Sequence, residues 1–308
     1  YLDLMDSKFE HPISFFEAIT ALAFAAFAEH PIDVGVIEVG MGGLWDATNV
    51  VDADVSVIMP IGLDHTEYLG ETLTEIAQTK SGIIKQSGFV VLAQQEPEAA
   101  KVLLKRAAEM GADVAREGVE YSVLKRSLAV GGQLLTIQGA SDTYEDIFLP
   151  LHGKHQASNA AAALVAVEAF FGDQELDIEA VRAGFANVTS PGRCEVVHRD
   201  PTIILDAAHN PHGASALADT IQSEFTFDDV EYAPLKYKII MRLTTMDTVA
   251  TTQTLRENLQ NLATFAATVQ GDIDKYMKNS IRITHKLLHA VQLSMTPSRF
   301  FSTHTTQF

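Results

Sequence analysis

Cysteine is almost missing from this chain of 308 residues. Cys194 stands alone, so no internal disulfide can form, and a single thiol without an activating sequence pattern reads as a small apolar residue. Clustered basic residues are missing as well. Lysine and arginine number 22 against 40 acidic side chains, a formal net charge of -18, which leaves nothing to neutralise a nucleic-acid backbone. No apolar run approaches the roughly 18 to 20 residues that a membrane helix needs. The opening residues, Tyr1-Leu2-Asp3-Leu4-Met5-Asp6, lack the basic start of a signal peptide. These absences predict a soluble, cytoplasmic protein with no nucleic-acid or membrane partner.

What is present is enough for a globular protein. At 47% hydrophobic, the chain can build one large or two ordinary domains with buried cores. Charge is unevenly spread: residues 1 to 229 hold 35 acidic and 13 basic side chains, whereas 230 to 308 hold 5 and 9. Glycine shifts with it, since 18 of the 19 precede residue 230 and only Gly271 follows. This double change predicts a boundary near Asp229.

Residues 15 to 29 form an Ala-rich apolar stretch, with Ser14 as N-cap and Glu17 as its capping-box partner, and predict a buried helix. DVGVIEV at 33 to 39 and VSVIMPI at 55 to 61 are β-branched runs ending in glycine, as core strands of a parallel sheet would be. Helical patterns at about 72 to 79 and 97 to 110 flank the strand-like FVVLA at 89 to 93, so strands and helices alternate. The fold class expected is therefore α/β with an open, mostly parallel sheet. Short strands from about 121 to 149, around the turn Gly131-Gly132, predict antiparallel hairpins at an edge of that sheet. Helices follow at 156 to 171 and 177 to 187. After Ser190-Pro191-Gly192, a strand at 202 to 205 and a helix at about 212 to 224 open a second α/β domain. From Leu255 through Leu259, Leu262, Ala266, Val269 and Ile273 to Tyr276, apolar or small residues alternate at spacings of four and three, the mark of an amphipathic helix with a heptad seam. The pattern continues in a shifted phase to Met295. Packing on its own domain and self-association through 248 to 295 are both compatible with it.

Four segments place polar residues where strands or helices end, and ligands of open parallel sheets bind outside the carboxyl ends of strands. Glu38-Val39-Gly40-Met41-Gly42-Gly43 closes a strand with a carboxylate suited to a hard cation such as magnesium, beside glycines that permit close backbone approach. Gly62-Leu63-Asp64-His65 sets a carboxylate and an imidazole at the next strand end. Lys80-Ser81-Gly82-Ile83-Ile84-Lys85 ends a helix. Asp206-Ala207-Ala208-His209-Asn210-Pro211 follows a strand and is preceded by Pro191-Gly192-Arg193, an arginine able to clamp phosphate. Each segment alone also fits a plain structural role: a turn, a cap or a dipole partner.

Taken in order, EVGMGGLWDATNV (38 to 50), PIGLDHTEYLGETLTEIAQTKSGIIK (60 to 85), LHGKHQASNAAAAL (151 to 164), SPGRCEV from 190 and ILDAAHNPHGA to 214 resemble the folylpolyglutamate synthase and dihydrofolate synthase family, within the Mur-ligase superfamily. The resemblance implies a ligase that uses ATP to phosphorylate a carboxylate of tetrahydrofolate or dihydropteroate. The amine of L-glutamate then attacks the acyl phosphate. It implies magnesium on Glu38, His65 and a carbamylated Lys80, with Lys80 and His65 in the catalytic group. It places Asn159, Arg193, Asp206 and His209 around the adenine, ribose and phosphates of ATP. Carbamylation makes sense electrostatically, because it turns a cation that would repel the metal into an anion that can bind it.

Two departures stand beside the resemblance. The family carries a strand and P-loop of the type GTNGKGS, and no G-x-x-x-x-G-K-[ST] motif occurs here. The chain is therefore expected to begin past that loop and to be inactive alone. Residues 230 to 308 do not resemble the family's last domain. The layout expected is a central ATP-binding domain over 1 to 190, the opening of a C-terminal α/β domain over 191 to 229, and an amphipathic helical tail over 230 to 308. A Mur-type peptide ligase, and a non-catalytic remnant acting through its tail, are the alternatives.

Overall fold

The computed structural model describes residues 13–172, 175–199, 202–208, 211–226, 229–235, 238–244 and 299–304. Helix α1 (Phe15–Glu29) opens on the expected capping box: Glu17 N–H donates to Ser14 Oγ, and Ser14 N–H to the Glu17 carboxylate at 2.7 Å. Strand β1 (Val34–Glu38), β2 (Val55–Ile58), β3 (Phe89–Leu92) and β4 (Asp113–Arg116) form a parallel sheet, in which β12 (Arg299–His304) pairs between β1 and β2. Between them lie α2 (Thr66–Leu69), α3 (Leu73–Lys80) and α4 (Pro97–Met110). Proline at the start of α4 and Gly111, at φ 60, just past its end delimit that helix as sequence alone would place it.

Sheet and helices bury two apolar layers. One gathers Ile58, Val90 and Leu92 with Ile76, Ile83, Ile84 and Leu103; the other sets Val55, Val57 and Val91 against Leu164, Val165 and Phe170 of α5 (Lys154–Phe171). Helix α6 (Ile178–Ala186) packs on the second layer through Ile178, Val181 and Phe185. β5 (Ser122–Ala129), β6 (Gly132–Gln138) and β7 (Thr143–Leu149) are antiparallel as expected. They form a separate three-stranded sheet rather than an edge of the parallel one, with Leu135, Ile137 and Ile147 buried in the layer that α5 and the helix at Ile178–Ala186 cover.

Two expectations about burial are corrected. Helix α1 is not a buried helix: Phe15 is 61% exposed, while Thr20 is buried, Phe16 lies against Gly40, and Phe24 and Phe27 pack on Ile37, Val51 and Ala53. Strand β1 is not enclosed on both faces, since Val36 is 70% exposed while every residue of β2 is buried. The second unit holds β8 (Glu195–Arg199), β9 (Thr202–Asp206) and α7 (Pro211–Glu224). With β10 (Asp229–Leu235) and β11 (Lys238–Thr244) its strands make a four-stranded antiparallel sheet. Most of the tail expected to be helical, and the seam through 248 to 295, lie outside the described residues. The described stretches of 230 to 308 are strands, in keeping with β-branched and aromatic residues such as Ile239, Ile240, Phe300 and Phe301. Among the described residues no helix is long and apolar enough to cross a membrane.

Candidate active site

The glycine loop after β1 is built by its own polar residues. Asp46 accepts from Met41 N–H at 2.9 Å and from Thr48 N–H at 3.0 Å, and Asn49 donates to the carbonyls of Leu44 and Gly82. The loop lies directly on the end of α3. Leu44 N–H donates to the Thr79 carbonyl at 2.9 Å, and a Cβ on Gly43 would stand 2.9 Å from that carbonyl and 3.0 Å from that of Lys80. A Cβ on Gly42, held at φ 72, would stand 2.8 Å from Thr79 Cγ2. The close approach expected of these glycines is thus made to the chain that carries Lys80.

Lys80 is 5% exposed. Burial pushes its amine down to about 8, and the nearby Asp64 carboxylate pulls the other way without restoring the ordinary value. Asp64 also accepts from His65 N–H at 2.8 Å, which fixes the turn in which His65 takes the left-handed conformation at φ 50. Lys80, Asp64 and His65 are therefore linked through Asp64. Glu38 lies exposed at the end of β1, two residues before the glycine loop. Among the described residues no three His, Cys, Asp or Glu side chains stand close enough to hold a metal. A metal site here would need a donor of another kind, and a carbamate on Lys80 has the right charge and hardness.

The second group of residues sits where α5 meets the second unit. Both oxygens of Asp206 accept backbone N–H groups, from Cys194 and from Ala208, each at 2.7 Å. The aspartate thereby ties the Arg193-Cys194 turn to the end of β9. Arg193 Nη1 is buried and has no hydrogen-bond partner among the described residues, a cost that an anionic ligand such as phosphate would relieve. His155, four residues before Asn159 and on the same face of α5, lies in the field of Asp206, Glu224, Arg193 and Arg126. Burial lowers its imidazole, and the two carboxylates oppose that. Asn159 donates to Gln156 Oε1 at 3.2 Å. Cys194 is 3% exposed with its thiol pushed up to about 12 by burial, in keeping with an inert role. His209 lies outside the described residues.

The two groups face each other through α7. A Cβ on Gly62 would meet His212 Nε2 at 2.3 Å, so the start of α7 rests on the Gly62 to His65 loop. A cleft of about 760 Å³ at the junction includes Arg193, His152 and Phe225, but not Asn159, Asp206, Glu38, His65 or Lys80. The sequence reading pointed to the Asp64 carboxylate but did not single out Asp46, Asn49, His155 or His212. All four lie within the segments that carry the resemblance, and the spacing of His155 from Asn159 was the available signal.

Comparison with known proteins identifies the family. A family model, the Mur ligase middle domain, matches residues 5 to 167. The dihydrofolate synthase/folylpolyglutamate synthase of Mycobacterium tuberculosis is 54% identical over 224 residues, covering 70% of this chain and 46% of that protein. The corresponding Bacillus subtilis protein is 37% identical over 240 residues, covering 75% and 56%. Crystal structures of the Mycobacterium tuberculosis folylpolyglutamate synthase complexed with ADP and AMPPCP align with a TM-score of 0.71 at 53% identity, over 74% of this chain and 53% of that one. An FPGS-AMPPCP-folate complex aligns with a TM-score of 0.70 at 35% identity, over 74% and 56%. The chain spans about half the length of the curated relatives it matches.

Proposed function

We propose that this chain, which belongs to the Mur ligase family, carries the nucleotide and metal side of a ligase that uses ATP to join L-glutamate to a folate. The observation that carries this reading is Lys80: a buried lysine at a helix end on which the glycine loop rests, its amine brought down to about 8 although the Asp64 carboxylate of the Gly62 to His65 loop opposes the fall. A surface lysine would gain nothing from such burial. Near neutral pH an amine at about 8 has a sizeable uncharged fraction. That nitrogen can bond to the carbon of carbon dioxide, lose one proton, and become a carbamate.

Glu38, His65 and the carbamate would hold magnesium, which supplies charge neutralisation for the phosphoryl group when bound. Arg193, with its buried Nη1 open to an anion, suits the phosphates. Asn159 and His155 on one face of α5 suit the base, and Asp206 and His209 the ribose and phosphates. Asp206 keeps a second lone pair on each oxygen beyond its two backbone contacts. In this reading the γ-phosphoryl of ATP passes to a carboxylate oxygen of the folate and ADP leaves. The glutamate amine then forms the amide as phosphate departs.

Calorimetric titration of the chain with ATP and magnesium tests the site. Binding is expected for the wild type and is expected to weaken at least tenfold in Glu38→Gln and in Arg193→Met. Binding that both variants leave unchanged, or no binding by the wild type, overturns the reading.

A further inference from the structure

The junction between the two units is poorly packed on one side. The connecting residues Asn187 to Pro191 line the cleft of about 760 Å³, and only Val188 of them also packs against the core of the first unit, so packing there does little to fix the angle between the units. What joins them is α7. Its first turn rests on Gly62 through His212. Its last residue, Glu224, has a side chain only 2% exposed, and its carboxylate takes Arg126 of β5, the Gly153 N–H at 2.9 Å, and faces His152 Nδ1 at 3.0 Å. Gly153 is the N-cap of α5, the helix that carries His155 and Asn159. Phe225 adds a ring contact to His152, with centroids 5.0 Å apart. Arg126 is itself oriented by Gln133.

We infer that Glu224 is a positioning residue: by clasping Arg126, His152 and the α5 N-terminus it fixes the second unit so that Arg193 and Asp206 face the Gly62 to His65 loop. The consequence for ATP rests on the proposed function; the consequence for geometry does not. Glu224 touches none of the reacting atoms in this scheme. It acts by holding one end of a strut whose other end is at the candidate metal loop.

The test measures the distance between the units. Nitroxide labels on cysteines at Lys105, in α4, and Val197, in β8, report it by double electron–electron resonance. Buried Cys194, its thiol pushed up to about 12, does not compete for the label. One narrow distance is expected in the otherwise native chain, and a broad distribution in Glu224→Ala, Glu224→Gln and Arg126→Met. Glutamine keeps an acceptor for Gly153 and removes only the charge, so it separates the clasp from a local helix cap. An equally narrow distance in folded Glu224→Gln and Arg126→Met overturns the inference, even if both variants melt earlier. ATP with magnesium, titrated into the same proteins, is expected to bind at least tenfold more weakly to the broadened variants. If the native chain binds no ATP, the reading of the site fails, and the distances alone decide the clasp.

Discussion

Lys80 and Glu224 are both ionisable side chains almost sealed from water, 5% exposed as a residue and 2% exposed as a side chain, and they are treated in opposite ways. Burial pushes the Glu224 carboxyl up, but the His152 ring, the Arg126 guanidinium and the Gly153 N–H together hold it below the ordinary carboxylate range. Burial pushes the Lys80 amine down, and Asp64 only partly offsets it. A buried charge that is fully met is a structural joint. A buried amine pushed toward its neutral form costs stability, and such groups gather where a protein binds or reacts.

The largest effect that would break this contrast is at Glu224. Replacing it with alanine leaves Arg126 Nη2 and Gly153 N–H without the Glu224 acceptor, and denaturant unfolding is expected to show a loss of about 3 to 5 kcal/mol. A loss under about 1 kcal/mol would mean that the joint is no more than a surface pair. At Lys80 the sign reverses. Lys80→Met is expected to stabilise the metal-free, uncarbamylated chain by about 3 kcal/mol at neutral pH, from a fall of 10.5 to about 8. Between those two values the unfolded chain holds the proton and the folded chain does not, so wild-type stability rises with pH across that window. The advantage of Lys80→Met should shrink over the same range and vanish above it; an advantage independent of pH would refute the burial argument.

Much of this was legible in the sequence, for local reasons. The capping box at Ser14, Pro97 and Gly111 around α4, the strand-end segments around Glu38, Asp64 and Asp206, and the helix end at Lys80 all depend on near neighbours in the chain. The Glu224 clasp was not legible. Its partners stand 98 and 72 residues away, and a glutamate closing an amphipathic helix carries no signal of what it will meet. The exposed face of α1 was misread because an Ala- and Phe-rich stretch shows only that a surface is apolar, not that anything covers it. The three-stranded sheet of β5 to β7 was placed on the wrong neighbour for a related reason: alternation shows one buried face without identifying the element it packs on.

Two smaller effects sharpen the comparison. Glu168 is a buried carboxylate of the Glu224 kind, accepting from Ala140 N–H at 2.7 Å and Tyr144 Oη–H at 3.0 Å, but all its partners lie in one hairpin beside its own helix. Glu168→Gln is expected to cost about 1 to 3 kcal/mol and to speed hydrogen exchange at Ala140 to Asp142 while leaving ATP affinity alone. A change in affinity would blur the distinction between a local pin and the clasp between units. Gly42→Ala, at φ 72 and against Thr79, is expected to cost about 1 to 2 kcal/mol and to loosen the Lys80 segment. Unaltered hydrogen exchange at Thr79 to Gly82 would show that the loop does not hold it.

The most direct measurement is on Lys80 itself: nitrogen-labelled lysine NMR across pH, with and without ¹³C-labelled bicarbonate and magnesium. One amine titrating near 8 and one carbamate carbon signal, both lost in Lys80→Met, are the expected result. An ordinary lysine titration near 10.5 with no carbamate signal would contradict the account.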